Sequence, residues 1–208
     1  MPDPRTGGTD LRRAILDQTR HLLVEEGYHT LSMRKIARAV GCSATSIYLH
    51  FENKDALFHG LIDEGFARLN EAFQHVADAH ADAVERLETL SRRYVEFGLD
   101  NPEYYEIMFM LHPERMSRYP AEKYRRARRN LEVFTETLRE GADAGQLDVE
   151  DAAVAASVLW AALHGAVGLL LARRVDVRIE RDVFVEAVVR HAIVGFRFHA
   201  GALPHVDG

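Results

Sequence analysis

Residues 27–58, GYHTLSMRKIARAVGCSATSIYLHFENKDALF, read as two short helices joined by a tight glycine turn. In the first, Ser32–Val40, the apolar residues Met33, Ile36, Ala37 and Val40 fall on one face. Gly41 has no Cβ to penalise the left-handed region, so the chain can reverse there. Ser43 is a good N-cap for the second helix, which turns Ile47 inward and leaves Ala44, Thr45, Ser46 and Tyr48 around its outer side. A corner made only for packing buries the start of its second helix. A helix that opens on small and hydroxyl residues can instead approach the floor of a DNA major groove. The stretch therefore predicts a helix-turn-helix.

Charge is distributed in keeping with that reading. The 208 residues carry a formal net charge of −6, which alone argues against a nucleic-acid binder. Residues 1–60, however, hold 8 Lys/Arg against 7 Asp/Glu, and the remainder holds 18 against 25. A near-neutral head on an acidic body fits a protein that meets DNA through one end, with few phosphate contacts per subunit. Affinity would then rest partly on two heads binding together. The single Cys42 excludes an internal disulfide, and the absence of a signal peptide fits a reducing cytoplasm. Cys42 sits in the turn between the two helices, where packing is the expected role; a thiol sensor would need an exposed sulfur of lowered pKa.

Outward from the helix-turn-helix, every regular segment reads as helix. Residues 1–8 have the Pro and Gly content of a disordered tail, and a leading helix is expected from Asp10 to Glu26. Asn53 caps a long helix that carries Leu57, Phe58, Leu61, Phe66 and Phe73 and runs to about Ala79. Further helices are expected over about Asp82–Leu99, in the aromatic and Met-rich segment Glu103–Leu111, and over Ala121–Ala144. The run Lys123, Arg125, Arg126, Arg128 and Arg129 reads as a solvated face. Asp148 is the expected cap of an uncharged helix that ends at Arg173-Arg174, and a last helix covers about Glu180–Phe198. No period-2 strand pattern appears. The fold class is all-α with about nine helices: three in a helix-turn-helix domain over 9–54, six in a body over 55–200, then a tail over 201–208.

Residues 152–172 are long enough to span a bilayer. They are rich in Ala and Gly, carry His164 near the middle and have no companion span, so burial in the body and against a second subunit is expected, with no membrane partner.

The ordered matches in the N-terminal quarter are specific. Glu25, Gly27 and Tyr28 are followed by Leu31, Ser32, Arg34, Ile36 and Ala37, then Gly41, Ser43, Ile47, Tyr48, His50 and Phe51, and finally Asn53, Lys54 and Leu57. This series resembles the N-terminal domain of TetR/AcrR-type transcriptional repressors. The spacing Trp160-Ala-Ala-Leu-His164-Gly165 further resembles the WHG class of their C-terminal domains. The resemblance implies a homodimeric, ligand-responsive repressor on a pseudo-palindromic double-stranded DNA operator, with no cofactor and no enzymatic activity. Carried over by position, Ala44, Thr45 and Ser46 face base edges, while Tyr48, Leu49 and His50 approach phosphates or sugars. Lys54 and Ser32, with Ser43 at the head of the second helix, are placed toward the backbone. Arg34 is the expected base reader, because its fork matches guanine O6 and N7. Ala44 offers only a methyl and Leu49 no donor, which shifts specificity toward Arg34, Thr45 and DNA shape.

The resemblance also implies that the last two helices pair with those of a second subunit. Ala161, Gly165 and Gly168 would allow close backbone approach, with Phe184, Ala187 and Val188 adding apolar surface. For a small apolar or aromatic effector the candidates are Tyr94, Phe97, Tyr104, Tyr105 and Met108, together with Phe109, Phe134, Trp160 and His164. Aromatic residues at helical spacing are more often core than pocket. The eleven His residues include no i,i+4 pair, so no metal site is expected. An enzyme is disfavoured by the lack of a nucleophile–base pair or a phosphate loop. A non-sensing architectural DNA binder is the remaining alternative.

Overall fold

A computed structural model describes residues 4–74, 76, 82–110 and 121–197, with side chains for 10–74, 76, 82–110 and 128–197. Nine α-helices follow in order among them: α1 (Pro4–Glu26), α2 (Met33–Val40), α3 (Ala44–Tyr48), α4 (Lys54–Phe73), α5 (Ala83–Asp100), α6 (Pro102–Tyr105), α7 (Ala121–Asp143), α8 (Ala152–Leu171) and α9 (Arg181–Val194). A 3₁₀ turn, Tyr28–Thr30, precedes α2, and a π-helical turn, Glu106–Met110, extends α6. The fold is all-α, and no strand occurs among the described residues. Helix α1 starts at Pro4, inside the stretch expected as a tail; proline suits a first helical position, where its missing N–H is not needed.

The chain packs as two units. One combines residues 1–68 with 101–127, the other 69–100 with 128–208. The sequence boundary expected after residue 54 divides the chain linearly; the contacts divide it inside α4, at the α5–α6 break and inside α7.

In the first unit, one face each of α1, α2, α3 and α4 supplies a common core that includes Ile15, Leu23, Ile36, Ile47, Phe58 and Leu61. Ile107, from the π turn, belongs to the same core, and Phe66 packs on it. The fit is close. A Cβ on Gly65 would overlap Sδ and Cγ of Met108, so glycine is what lets α4 meet the π turn. In the second unit α5, α8 and α9 pack against one another, burying Leu87, Leu90, Leu159, Leu163, Val189 and Ile193. Phe73 meets the edge of Phe134 with ring centroids 5.5 Å apart.

Helix α8 is capped by Asp151, not by Asp148 as the sequence led us to expect. Asp151 is extended (φ −127°) and its side chain accepts from the N–H groups of Ala153 and Val154. The N–H of Asp148 instead donates to the carbonyl of Phe196, 2.8 Å away. Helix α8 is correspondingly shorter at its start, and α9 ends at Val194 rather than near Phe198. The expected end of α4 near Ala79, the side chains of Lys123, Arg125 and Arg126, and the 201–208 tail lie outside the described residues.

Candidate nucleic-acid interface and regulatory core

The helix-turn-helix is built on three local devices. Ser32 Oγ accepts from Lys35 N–H (3.2 Å) and caps α2. Gly41 takes the left-handed conformation (φ 79°), and the N–H of Cys42 returns to Ala37 O at 3.0 Å. Ser43 Oγ accepts from Ser46 N–H (3.0 Å) and shares a 2.8 Å bond with Ser46 Oγ. Both capping serines thus use acceptor capacity inside the protein. Ser32 keeps a hydroxyl proton for an outside partner.

With Ile47 buried, the rest of α3 faces out. Thr45 is exposed, Tyr48 is 53% exposed and Leu49 81%. Ala44, Ser46 and His50 are half-buried, as is Cys42. On α2, Arg34 and Arg38 are exposed and carry no ion pair among the described residues, whereas Lys35 pairs with Glu26. Sequence reasoning singled out Arg34 but passed over Arg38. The signal was present, because residues four apart share a helix face.

Lys54 has a more internal role than its place in the motif implied. A cation at a helix N-terminus opposes the macrodipole and needs compensation. Its ammonium donates to the carbonyls of Tyr28 (3.1 Å) and Leu31 (3.3 Å) and lies 3.7 Å from the Tyr28 ring centroid. Burial holds its pKa below the ordinary lysine value, with Asp55 opposing. The Tyr28 hydroxyl donates to Asp55, and burial followed by that bond raises its pKa. Asn53 Oδ1 accepts from Ala56 N–H at 2.8 Å and caps α4. Two of the three ammonium donors are therefore spent on the fold, and one remains for an external oxygen.

The candidate effector residues separate into two groups. In the second unit, Trp160 Nε1 donates to Tyr94 Oη (3.0 Å), which lies 3.2 Å from His164 Nδ1. Tyr94 Oη, accepting from Trp160, keeps a proton that it can offer to Nδ1 of a neutral His164. Burial lowers its pKa accordingly. The Trp160 and His164 rings stack with centroids 4.8 Å apart. Phe97 and Phe134 are buried in the same unit.

Tyr104, Tyr105, Met108 and Phe109 belong to the first unit. Tyr104 is 1% exposed, with the guanidinium carbons of Arg20 and Arg68 at 4.9 and 4.8 Å from its ring centroid. Burial first, then the neighbouring Glu64 carboxylate, push its pKa up to about 12. Phe109 meets Phe66 edge-on at 5.7 Å and lies 5.0 Å from Tyr105. No group of three or more His, Cys, Asp or Glu suited to a metal ion occurs among the described residues.

Of the expected dimer residues, Ala161 and Gly165 are exposed, while Gly168, Phe184, Ala187 and Val188 are half-buried. Ala161, Gly165 and Gly168 lie on α8, which also exposes Val154, Val158 and Leu169, whereas Phe184, Ala187 and Val188 lie on α9. A Cβ on Gly165 would meet nothing within 4 Å, so packing within the chain does not account for this glycine. Helix α8 has the length and apolarity of a membrane span, with 33% of its most apolar window buried.

Comparison with known proteins agrees with this architecture. Residues 15–61 match the family model for bacterial regulatory proteins of the tetR family, and residues 87–192 match the tetracyclin repressor-like C-terminal domain. An HTH-type transcriptional repressor of Mycobacterium tuberculosis is 41% identical over 58 residues, 28% of this chain and 31% of that protein. A nucleoid occlusion factor of Vibrio vulnificus is 31% identical over 98 residues, 47% of this chain and 50% of its own. The chain thus spans half or less of the length of these curated relatives. A solved structure of a protein of unknown function from a Rhodococcus species superimposes with a TM-score of 0.78 at 26% identity, covering 90% of this chain and 96% of that one. With the second family model alone spanning more than half of its residues, the chain belongs to the TetR family of transcriptional regulators.

Proposed function

We propose that this regulator is a cytoplasmic, homodimeric repressor that binds a pseudo-palindromic operator and releases it on binding a small apolar or aromatic effector. The observation that carries the dimer is the α8 stripe, where Val154 and Val158 are 58% and 57% exposed beside an open Gly165. Mid-helix glycine costs about 1 kcal/mol against alanine, which a close approach by a second α8 would explain. Two-fold pairing along α8 and α9, with Phe184, Ala187 and Val188 at its margin, would place two recognition helices about 34–36 Å apart on one DNA face. Arg34 and Thr45 would then read bases, Arg38, Ser32, Ser43, Tyr48 and His50 would meet the backbone, and Lys54 would offer its remaining donor.

The Tyr94–Trp160–His164 chain supports a WHG-class regulatory core. It supplies fixed polar atoms among apolar neighbours, which is what orients a small ligand. A second reading is a non-sensing architectural DNA-binding protein, in keeping with the nucleoid role that one relative's name carries.

Light scattering and gel shifts against DNA flanking the protein's own gene, at two salt concentrations, test the proposal. A dimer is expected, with a discrete salt-sensitive shift that survives excess nonspecific DNA, and Gly165→Leu should lower both dimerisation and operator affinity. Monomeric wild type, or a shift abolished by nonspecific competitor, would sink the operator model. Melting shifts across a panel of hydrophobic compounds separate the sensing reading from the architectural one.

A further inference from the structure

Helix α3 offers DNA a face with few hydrogen-bonding groups. Residues 43–49, SATSIYL, include no Arg, Lys, Asn, Gln, Asp or Glu, the side chains that read guanine, adenine and cytosine edges through paired hydrogen bonds. The hydroxyls of Ser43 and Ser46 are bonded to each other at 2.8 Å, and Ser43 Oγ also accepts from Ser46 N–H. Thr45 and Tyr48 carry the remaining hydroxyls, and Ile47 is turned into the core.

What α3 presents instead is apolar. Leu49, its C-terminal cap, is 81% exposed, and Tyr48 before it is 53% exposed. Among residues 27–74 these two are the exposed large hydrophobic side chains. Thr45 lies four residues before Leu49 and Ala44 four before Tyr48, so their methyl groups fall beside the larger side chains.

The fold gives no reason for a leucine at this place. A side chain so exposed removes too little apolar area from water to stabilise the domain. Nor does leucine suit the DNA backbone, since it can neither donate to a phosphate nor neutralise one. Charge for the backbone is supplied elsewhere: Arg34 and Arg38 are exposed on α2 without an ion pair among the described residues, and Lys54 keeps one donor. In the major groove, the C5-methyl of thymine is the apolar group that base edges display.

Given the operator-binding function proposed above, on which this rests, we propose that α3 reads its operator by methyl groups: Leu49 covers the C5-methyl of a thymine in each half-site, with the methyls of Thr45 and Ala44 flanking it. Contact at that position ignores the hydrogen-bonding groups of the base. Thymine is therefore preferred over uracil, which lacks only the methyl. For the same reason 5-methylcytosine substitutes for thymine there, and cytosine does not.

An operator selected from random-sequence DNA by the full-length protein, then resynthesised with uracil in place of each thymine in turn, tests this in titrations with wild type and Leu49→Ala. Wild-type binding should weaken about four-fold at one thymine per half-site, the value of one buried methyl. Leu49→Ala should melt as the wild type does and lose most of that sensitivity. Cytosine at the same position should weaken wild-type binding, and 5-methylcytosine should restore it. Leu49→Lys places an unpartnered charge against a methyl and should weaken the operator complex.

Wild-type tolerance of uracil at every position would overturn the methyl readout. Equal uracil sensitivity in Leu49→Ala would assign the methyl to another residue and overturn the role of Leu49. Tighter binding of all sequences by Leu49→Lys, with a salt slope steeper by about one, would put residue 49 against a phosphate and overturn it equally. A protein that selects no sequence at all would fail the operator function and this readout together, whereas a selected operator indifferent to uracil would fail the readout alone.

Discussion

Helix α4 is tied to its neighbours by two polar junctions of opposite character. At its start, Lys54, Tyr28 and Asp55 satisfy one another: the ammonium has two carbonyls and a ring face, and the phenol has a carboxylate. Ten residues along, the Glu64–Tyr104 cluster gathers more charges, Arg13, Arg20, Arg68, Glu64 and Glu103, and leaves four polar atoms without hydrogen bonds among the described residues. The first junction fixes the helix-turn-helix on the end of α4, as a reading head requires. The second joins α6 to α1 and α4. The two junctions differ in hydrogen-bond completeness, the property that lets a buried polar network rigidify a contact.

Substitutions can break that contrast. The largest effect is expected from Lys54→Met, which strips two carbonyls of a charged donor and should cost about 2–3 kcal/mol in urea unfolding. Operator affinity should fall by no more than one phosphate contact in salt slope, because most of the ammonium is already used internally. Next come the paired Tyr28→Phe and Tyr104→Phe variants. Loss of the Tyr28–Asp55 bond should destabilise by about 1 kcal/mol, whereas Tyr104→Phe should be neutral or stabilising by a similar amount. Equal signs in the two melts would erase the distinction.

Gly65→Ala sharpens it from the apolar side. The new methyl must displace the flexible end of Met108, for an expected loss of about 1 kcal/mol and faster exchange over the π turn. The smallest effect concerns pH. Burial depresses the His164 pKa below its ordinary 6.5, so the folded state binds this proton less readily than the unfolded chain. The associated stability is complete above pH 6.5 and is lost as pH falls toward the folded value. His164→Asn, whose side-chain oxygen can replace Nδ1 as acceptor from Tyr94, should flatten that slope in melts taken across the window.

What was legible in the sequence was local. Ser32, Gly41, Ser43 and Asn53 act within a few residues of themselves, and each caps or turns the chain where its chemistry predicts. Asp148 misled because DVED offers acids at 148, 150 and 151, and choosing among them requires knowing that Asp148 N–H is held by Phe196, 48 residues away. The aromatic residues were harder still. Tyr94 and Tyr104 look alike on helical spacing, but one belongs with Trp160 and His164 and the other with Arg20 and Arg68. Periodicity reports that a side chain is buried and says nothing about the company it keeps. Arg38 was missed for a different reason, since a resemblance carries over only the positions it matches.

The first unit is also discontinuous along the chain, and this bears on how the protein is made. Its N-terminal part ends at Arg68, but Ile107 and Tyr104 belong to the same packed body. At ~5–20 residues per second, Asn101 is synthesised about two to seven seconds after Arg68. Throughout that interval the nascent helix-turn-helix lacks part of its core, so a ribosome stalled before residue 110 would carry an unfinished DNA reader. Completion of the helix-turn-helix core is thereby tied to translation of the chain through Ile107.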